Sequence, residues 1–343
     1  MYHIGIIGCG KIAQVRHIPE YRANKECKLA GFYDLNVQRA QGLALAYGGK
    51  AYSSVEELLS SDIDAVSICT ANKTHYEITV KALAAGKHVL CEKPMALSLD
   101  ACRSMVEASR KAKGILMIDQ NQRLTPTHQK ARDLIGQGAI GKVISFATTF
   151  GHGGPENWSV DPGKSTWFFD RKIAGIGAMA DLGVHKTDLI QYLLSDTVAE
   201  VTARLCTLEK KGPDGKPIGV DDNAFCIYRM KGGAVGTMRA SWTFHGGEDN
   251  STVIYGTEGT MKIYTDPRFS IIVNHPDGTQ DCYAVDTIQT NDNQTTSHVI
   301  DAFVASMQAG SPAISAQSVM PAMEAVFAAI ESSETGRTVK VGT

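Results

Sequence analysis

Residues 3–14 read HIGIIGCGKIAQ: an apolar run, then Gly8-x-Gly10-x-x-Ala13, then residues of helical character. A strand that ends on such a turn and opens a helix has a physical use. Gly8 permits the tight turn, Gly10 lets the backbone approach a pyrophosphate, and Ala13 is small enough for close helix–strand packing. Phosphates would rest on the helix N-terminus, where free N–H groups and the dipole favour anions. A glycine turn alone can be nothing more than a turn, so its surroundings decide. The next apolar run, KLAGFYD, ends at Asp34, near the distance at which a carboxylate meets an adenosine ribose. Gly8, Cys9, Gly10, Lys11, Ile12 and Asp34 are therefore candidate dinucleotide contacts. A carboxylate in that place accepts from both ribose hydroxyls and repels a 2′-phosphate. Leu35 and Asn36 follow it, with no Arg or Ser to form a phosphate pocket. NAD is thus expected over NADP; the other reading of Asp34 is a solvated turn residue.

Outward from this turn the first third alternates. Apolar runs at KLAGFYD, DAVSICT, HVLCEK and ILMIDQN alternate with helical stretches closed by glycines at Gly48–Gly49, Gly86 and Gly114. Short strands between capped helices predict βαβ units and a doubly wound parallel sheet, an α/β class. Beyond about residue 125 the rhythm changes. A helix, the strand KVISFATTF, an irregular Gly- and Trp-rich stretch over 151–177 and one helix over 178–194 come first. Runs alternating by two follow, separated by turns such as GPDGKPIG and HPDG, and two helices over roughly 296–309 and 316–335 close the chain. This predicts an α+β part with a large, mostly antiparallel open sheet built from hairpins.

Composition narrows the function. The 343 residues are 43% hydrophobic and 20% charged, with a formal net charge of -2. That suits two globular domains and gives no basic face for nucleic acid or membrane. No apolar run approaches the about 18 residues of a membrane span, and the N-terminus lacks a secretory pattern. The eight cysteines form no CxxC pair, which predicts reduced, mostly buried thiols in a cytoplasmic protein.

Polar residues gather at the ends of the later strands: CTANKTHYE (69–77) and CEKPMA (91–96). In open parallel sheets ligands bind beyond the carboxyl ends of the strands. Lys93 then faces a cofactor and can exchange a proton in carbonyl–alcohol chemistry; alone, it reads equally as a strand-end lysine paired with a carboxylate. In GIGAMADLGVHKTDLIQYL, Asp181 and His185 are spaced i, i+4 and Asp188 follows. On a helix the first two share a face, and a His beside a carboxylate can act as a base. A capping carboxylate and a satisfied core histidine fit the same pattern. As a metal site the set is thin, so no metal is expected.

Taken together, these motifs resemble the glucose–fructose oxidoreductase and inositol dehydrogenase (Gfo/Idh/MocA) family. The likeness runs, in order, through the GxGxxA turn, Thr70-x-Asn72-x-x-His75-x-Glu77, CEKP, Asn121-x-Arg123, Trp167 to Asp170, and Asp181 to Asp188. It implies a Rossmann domain over 1–122 and a substrate-binding and oligomerisation domain over 123–343, with the option that its last helices pack back on the first domain. It implies NAD(P)-dependent oxidation of a sugar or cyclitol. The alternating runs 223–244 and 252–273 carry apolar residues on more than one face, Phe225, Ile227, Met238, Trp242, Val253 and Tyr255, and an open apolar sheet face needs covering, which predicts a homodimer or homotetramer joined through this sheet. By the same resemblance Lys93 and His185 meet the reacting hydroxyl with Asp181 beside them. Thr70, Ala71, Asn72, His75, Glu92 and Asn121 line the cofactor path. Arg123, His152, Asn157, Trp167 and Asp188 join the substrate pocket. Two stretches depart from the family: AGIGAM replaces a Gly-Gly-Gly, and DQNQRLTP replaces an aromatic-Asn-basic-Arg run. A glycosidase that uses bound NAD transiently, or a sugar sensor on the same fold, remain alternatives.

Overall fold

A computed structural model describes residues 1–288, 295 and 297–342. Its first half is one sheet. Strands β1 (Tyr2–Ile7), β2 (Cys27–Tyr33), β3 (Lys50–Ala51), β4 (Ala65–Ile68), β5 (His88–Cys91) and β6 (Leu116–Ile118) lie in the order 3-2-1-4-5-6. Every pairing is parallel. Helices α1 (Ile18–Ala23), α2 (Val37–Tyr47), α3 (Val55–Leu59), α4 (His75–Ala84) and α5 (Leu99–Lys111) connect the strands. The strand runs are continuously apolar because both faces are covered: Ile4, Ile6, Ile7, Val66, Ile68, Val89 and Leu90 are all fully buried. Sequence periodicity found five of these strands. The sixth, β3, is two residues long and lies at the edge.

The order reverses between β2–β1 and β4, and a crevice opens there beyond the strand ends. Gly8 closes β1 with φ +90°, and its N–H donates to the Tyr33 carbonyl at 2.8 Å. A Cβ there would stand 2.6 Å from the Cys69 carbonyl carbon, so no other residue fits. A wide π-type turn, Ala13–His17, then leads into α1.

The second half begins with α6 (Pro126–Gly136) and β7 (Val143–Gly151). After the short α7 (Arg171–Ala174) the chain enters another π-type turn, Met179–Gly183, continuous with α8 (Val184–Leu194). Strands β8 (Val198–Cys206), β9 (Asn223–Met230), β10 (Val235–Ser241), β11 (Thr252–Gly256), β12 (Thr260–Ile263), β13 (Ile271–Asn274), β14 (Gln280–Tyr283) and β15 (Val339–Lys340) join β7 in one sheet, ordered 14-13-12-11-7-10-9-8-15. Most neighbours are antiparallel, as the hairpin pattern predicts. The exception is β7 beside β10, which run parallel. That pairing is non-local, so no turn in the sequence announces it. The two-residue β15 and the exposed β14 were also not legible as strands.

One face of this sheet carries α8 and α10 (Ala316–Thr335). The central strands alternate, β9 reading buried and exposed by turns from Ala224 onward. The outer face leaves Ile144, Phe225, Ile227, Val235 and Tyr255 exposed. The apolar residues of these runs do divide between the two faces: Met238 and Trp242 are buried, while Phe225, Ile227 and Tyr255 are exposed. Helix α10 also packs on α5, and α9 (Val299–Ala309) on α1. Ile118 N–H donates to the Ile314 carbonyl at 3.1 Å beside a Met117–Ser315 bridge. The closing helices thus tie the two sheets together.

Candidate active site

A cleft of about 490 Å³ runs from the glycine turn to the face of the second sheet. Gly8, Gly10, Lys11, Ile12 and Asp34 line one end, and Lys93, His152, Trp167, Asp181 and His185 the other. Thr70, Ala71, Asn72, Glu92 and Asn121 lie between them.

The coenzyme end is braced before any ligand arrives. Asp34 Oδ2 accepts from Cys9 N–H and Oδ1 from Asn36 N–H, both at 2.7 Å. Each oxygen keeps a lone pair for a ribose hydroxyl. Nothing lies within 4 Å of where a Gly10 Cβ would stand, so that side of the turn is open for a pyrophosphate. Cys9 itself does not line the cleft, and its thiol donates to the Tyr33 carbonyl. The expectation that no cation backs Asp34 is corrected: Arg39, from α2, lies 3.5 Å from Asp34 and lines the cleft. It stands on the helix after the turn, beyond the two residues that sequence reasoning weighed.

Lys93 closes β5's end and reaches across to the second half. Its Nζ donates to Asp181 Oδ1 at 3.0 Å and to the Asp181 carbonyl at 2.9 Å. An ammonium has three donors, so one N–H is left for a ligand. Asp181 Oδ2 accepts from Trp242 Nε1 at 3.0 Å, with His152 Nε2 at 3.9 Å. His152 Nδ1 accepts from Gly154 N–H at 3.0 Å, which puts the proton of neutral His152 on Nε2, toward Asp181. The i, i+4 spacing suggests a carboxylate beside His185, but no hydrogen bond joins Asp181 to His185. Asp181 sits in the π-type turn, which rotates it off the i, i+4 face, and its partners are Lys93 and Trp242.

His185 is buried, and its Nδ1 has no hydrogen-bond partner. Burial, with the positive charges of Lys93, Arg16 and Lys186, holds its pKa well below the ordinary 6.5. The ring is therefore neutral at pH 7. With the proton on Nδ1, Nε2 offers its lone pair to the cleft. Lys186, the next residue, is fully buried, and burial brings its pKa down to about 7. Its Nζ donates to the Asn250 carbonyl at 2.8 Å.

Asp221 sets the loop before Asp181. Its carboxylate accepts from Gly177 and Met179 N–H, both at 2.8 Å. A Cβ on Gly177 would stand 1.8 Å from the Asp221 carbonyl oxygen. The departure AGIGAM thus keeps a glycine where the backbones touch.

Beneath Glu92 lies a buried charge cluster that sequence reading missed. His17 Nε2 is 3.0 Å from Glu92 Oε1 and 3.5 Å from Asp119 Oδ2. Arg16 is 3.4 Å from Asp119 and 3.8 Å from Glu92. Burial opposes charge on His17, but Cys69, Asp119 and Glu92 outweigh it and raise its pKa well above 6.5. Burial likewise opposes charge on Glu92, yet His17, Arg16 and Lys93 hold it well below the usual carboxylate range. Glu92 Oε2 in turn accepts from Lys93 N–H at 3.2 Å.

Besides Cys9, four expected contacts lie elsewhere. Arg123 and Asp188 are spent on each other, Nε to Oδ2 at 2.6 Å, and Arg123 also binds the Ser318 carbonyl of α10 at 3.0 Å. Neither lines the cleft, because Asp188 lies one turn beyond His185 and faces the helical layer. Asn157 donates to the Gly153 carbonyl. His75 stands behind the cleft wall, its ring nitrogens 2.8 Å from the Pro94 carbonyl and 2.9 Å from the Thr70 carbonyl. The substrate end instead gains an aromatic wall: Phe150, Trp158, Trp167 and Phe168, the last two stacked at 3.9 Å.

Residues 2–120 match the oxidoreductase family GFO_IDH_MocA, NAD-binding Rossmann fold, and residues 128–262 its C-terminal domain. The chain belongs to the GFO/IDH/MocA oxidoreductase family. Levoglucosan dehydrogenase of Pseudarthrobacter phenanthrenivorans is 35% identical over 58% of this chain and 55% of that enzyme, so the matched part is little more than half its length. The 1,5-anhydro-D-fructose reductase of Ensifer adhaerens is 33% identical over 75% of this chain and 74% of its own. The solved structure of a levoglucosan dehydrogenase with NADH and levoglucosan superposes with a TM-score of 0.86 at 25% identity, covering all of both chains. The NAD-binding fold of this GFO/IDH/MocA chain agrees with the open glycine turn and with the free lone pairs on Asp34. Among the described residues no helix is long and apolar enough to cross a membrane.

Proposed function

We propose that this protein oxidises a secondary hydroxyl of a neutral sugar or cyclitol, with NAD as the partner. The observation that carries the reading is the Lys93–Asp181 contact, which closes one cleft from two sheets, with His185 on the same wall. When bound, NAD supplies the acceptor for the hydride leaving the carbinol carbon. His185 Nε2 takes the hydroxyl proton, and the third N–H of Lys93 donates to the same oxygen as it gains negative charge. Asp181 holds Lys93 in place, and Trp242 holds Asp181. The aromatic wall suits the C–H face of a sugar ring. The two relatives named above are, by name, a levoglucosan dehydrogenase and a 1,5-anhydro-D-fructose reductase, which supports a sugar-like ring substrate. In the other direction the same groups return the proton.

The coenzyme half is assigned to residues 1–122 and the substrate half to 123–343. The five exposed apolar side chains on the outer sheet face support a homo-oligomer joined there. The eight cysteines are free, which supports a reducing, cytoplasmic setting. A panel of cyclitols, aldoses and anhydro-sugars, followed by absorbance of reduced nicotinamide, tests the function. Turnover of at least one polyol with NAD is expected. Release of dye from aryl glycosides without net reduction of NAD, or no turnover of any polyol, would sink the reading.

A further inference from the structure

The segment Pro155–Thr166 leaves the second half and crosses to the coenzyme end of the cleft. Its root is fixed by Lys210, whose Nζ donates to Glu156 Oε1 at 2.6 Å and to the Gly153 carbonyl at 2.8 Å. Gly163 N–H closes the loop on the Glu156 carbonyl at 2.8 Å, and Ser159 Oγ donates to the Asp161 carbonyl at 3.0 Å. The tip is therefore shaped by its own hydrogen bonds. It carries Asp161, whose two carboxylate oxygens each accept from Arg39 Nη2 at 2.8 Å. The same guanidinium lies 3.5 Å from Asp34 through Nη1. Arg39 thus stands between two carboxylates, one from each half of the molecule, and all three residues line the cleft.

The geometry has a consequence for a 2′-phosphate. Such a group occupies the side of the ribose that Asp34 faces, and a nearby arginine is what accommodates it. Arg39 is placed for that task, but its Nη2 is held by Asp161 and its Nη1 lies beside Asp34. We propose that Asp161 is a specificity-determining residue of the cofactor site: by holding the Arg39 guanidinium it keeps that cation from a 2′-phosphate and leaves Asp34 to select NAD. The proposal rests on the NAD reading above and adds that selection is made by both halves of the chain. With Asp161 present the three side chains sum to one negative charge; without it they sum to zero, and Arg39 can turn.

The pair is safe to remove. The Asp161 side chain is 76% exposed while that of Arg39 is 17%, so the Asp161 carboxylate returns little stability and Tm reports any cost of leaving Arg39 alone. Binding of NADH and of NADPH is titrated calorimetrically at one ionic strength in wild type, Asp161→Ala, Asp161→Asn, Arg39→Met and Asp161→Ala/Arg39→Met, with Tm recorded for each. Wild type is expected to bind NADH more tightly. Both Asp161 variants are expected to shift the NADH:NADPH affinity ratio toward NADPH by about tenfold, the order expected for one freed cation near a phosphate. In the Arg39→Met background removal of Asp161 is expected to shift the ratio far less. An unchanged ratio in both Asp161 variants, or an equal shift with and without Arg39, overturns the proposal while leaving NAD binding intact. A wild type that binds neither nucleotide overturns the NAD reading and the proposal together.

Discussion

Lys93 and His185 reach one cleft from different sheets, and single substitutions test their parts. Lys93→Ala and His185→Ala are each expected to lower kcat by about 10²–10⁴-fold, the usual yield of general acid–base help. NADH affinity by calorimetry is expected to stay close to wild type. The double variant should lose less than the product, because both groups serve one proton transfer. Lys93→Arg should not restore rate, since a guanidinium fork neither fits the Asp181 pair nor gives up a proton. The pH profile follows from the direction of the His185 shift. A lowered pKa keeps the ring neutral further into acid, so the acidic limb of kcat should fall below pH 6.5. A limb centred above 6.5 would assign it to another group. Asp34→Ser should bring the kcat/KM values for NAD and NADP together, because the carboxylate that repels a 2′-phosphate is gone; an unchanged ratio would remove Asp34 from selection.

At the scale of elements, the turn that precedes α8 controls where Asp181 points. Asp221→Ala leaves two buried N–H groups unmet, at about 1–3 kcal/mol each. Lower Tm and a lower kcat with little change in NADH affinity are expected; equal loss of both kinetic constants would point to general unfolding instead. The cluster under β5 makes a second, pH-dependent contribution. His17 has a raised folded pKa, so its stabilisation is complete below about pH 6.5 and fades as pH rises through the folded value. The Tm gap between wild type and His17→Gln should be widest near pH 6 and narrow toward pH 9. Much of this level was legible in the sequence. The glycine turn, the strand ending at Asp34 and the span of α10 were all readable, because local composition and period two or 3.6 decide them. Lys93, Asp181 and His185 were readable as polar residues at strand and helix ends. What failed was non-local. The parallel β7–β10 pair, Trp242 on Asp181 and Asp161 on Arg39 join residues far apart in the chain, and spacing carries no trace of them. Arg123 and Asp188 looked like ligands because a motif gives residue types but not which partner claims them first.

For the whole molecule, the outer sheet face is where the proposed homo-oligomer is tested. Across β8, β9, β10, β7 and β11 the register aligns Thr202, Ile227, Thr237, Ala147 and Val253 in one row, flanked by Phe225 and Tyr255. Covering large apolar side chains contributes about 1.5–3 kcal/mol each, enough across several residues to hold two such faces together. Light scattering should report a dimer or tetramer at micromolar concentration, and Ile227→Asp should shift it toward monomer. A monomeric wild type would refute the sheet interface. Helix α10 has a different reach. It packs on β8 and α5 at once, with Ser332 Oγ accepting from Ala203 N–H at 2.9 Å, while Arg110 of the coenzyme half and Arg123 at the start of the other half hold its first turn. On the ribosome these residues emerge after every strand of both sheets except the two-residue β15. Until then β6 lacks its contact with residues 314–315, and the inner face of β8 stays wet. A nascent chain stalled before α10 should therefore be readily cut by protease in both halves, and release of the helix from the exit tunnel should be the moment at which the two halves become resistant together.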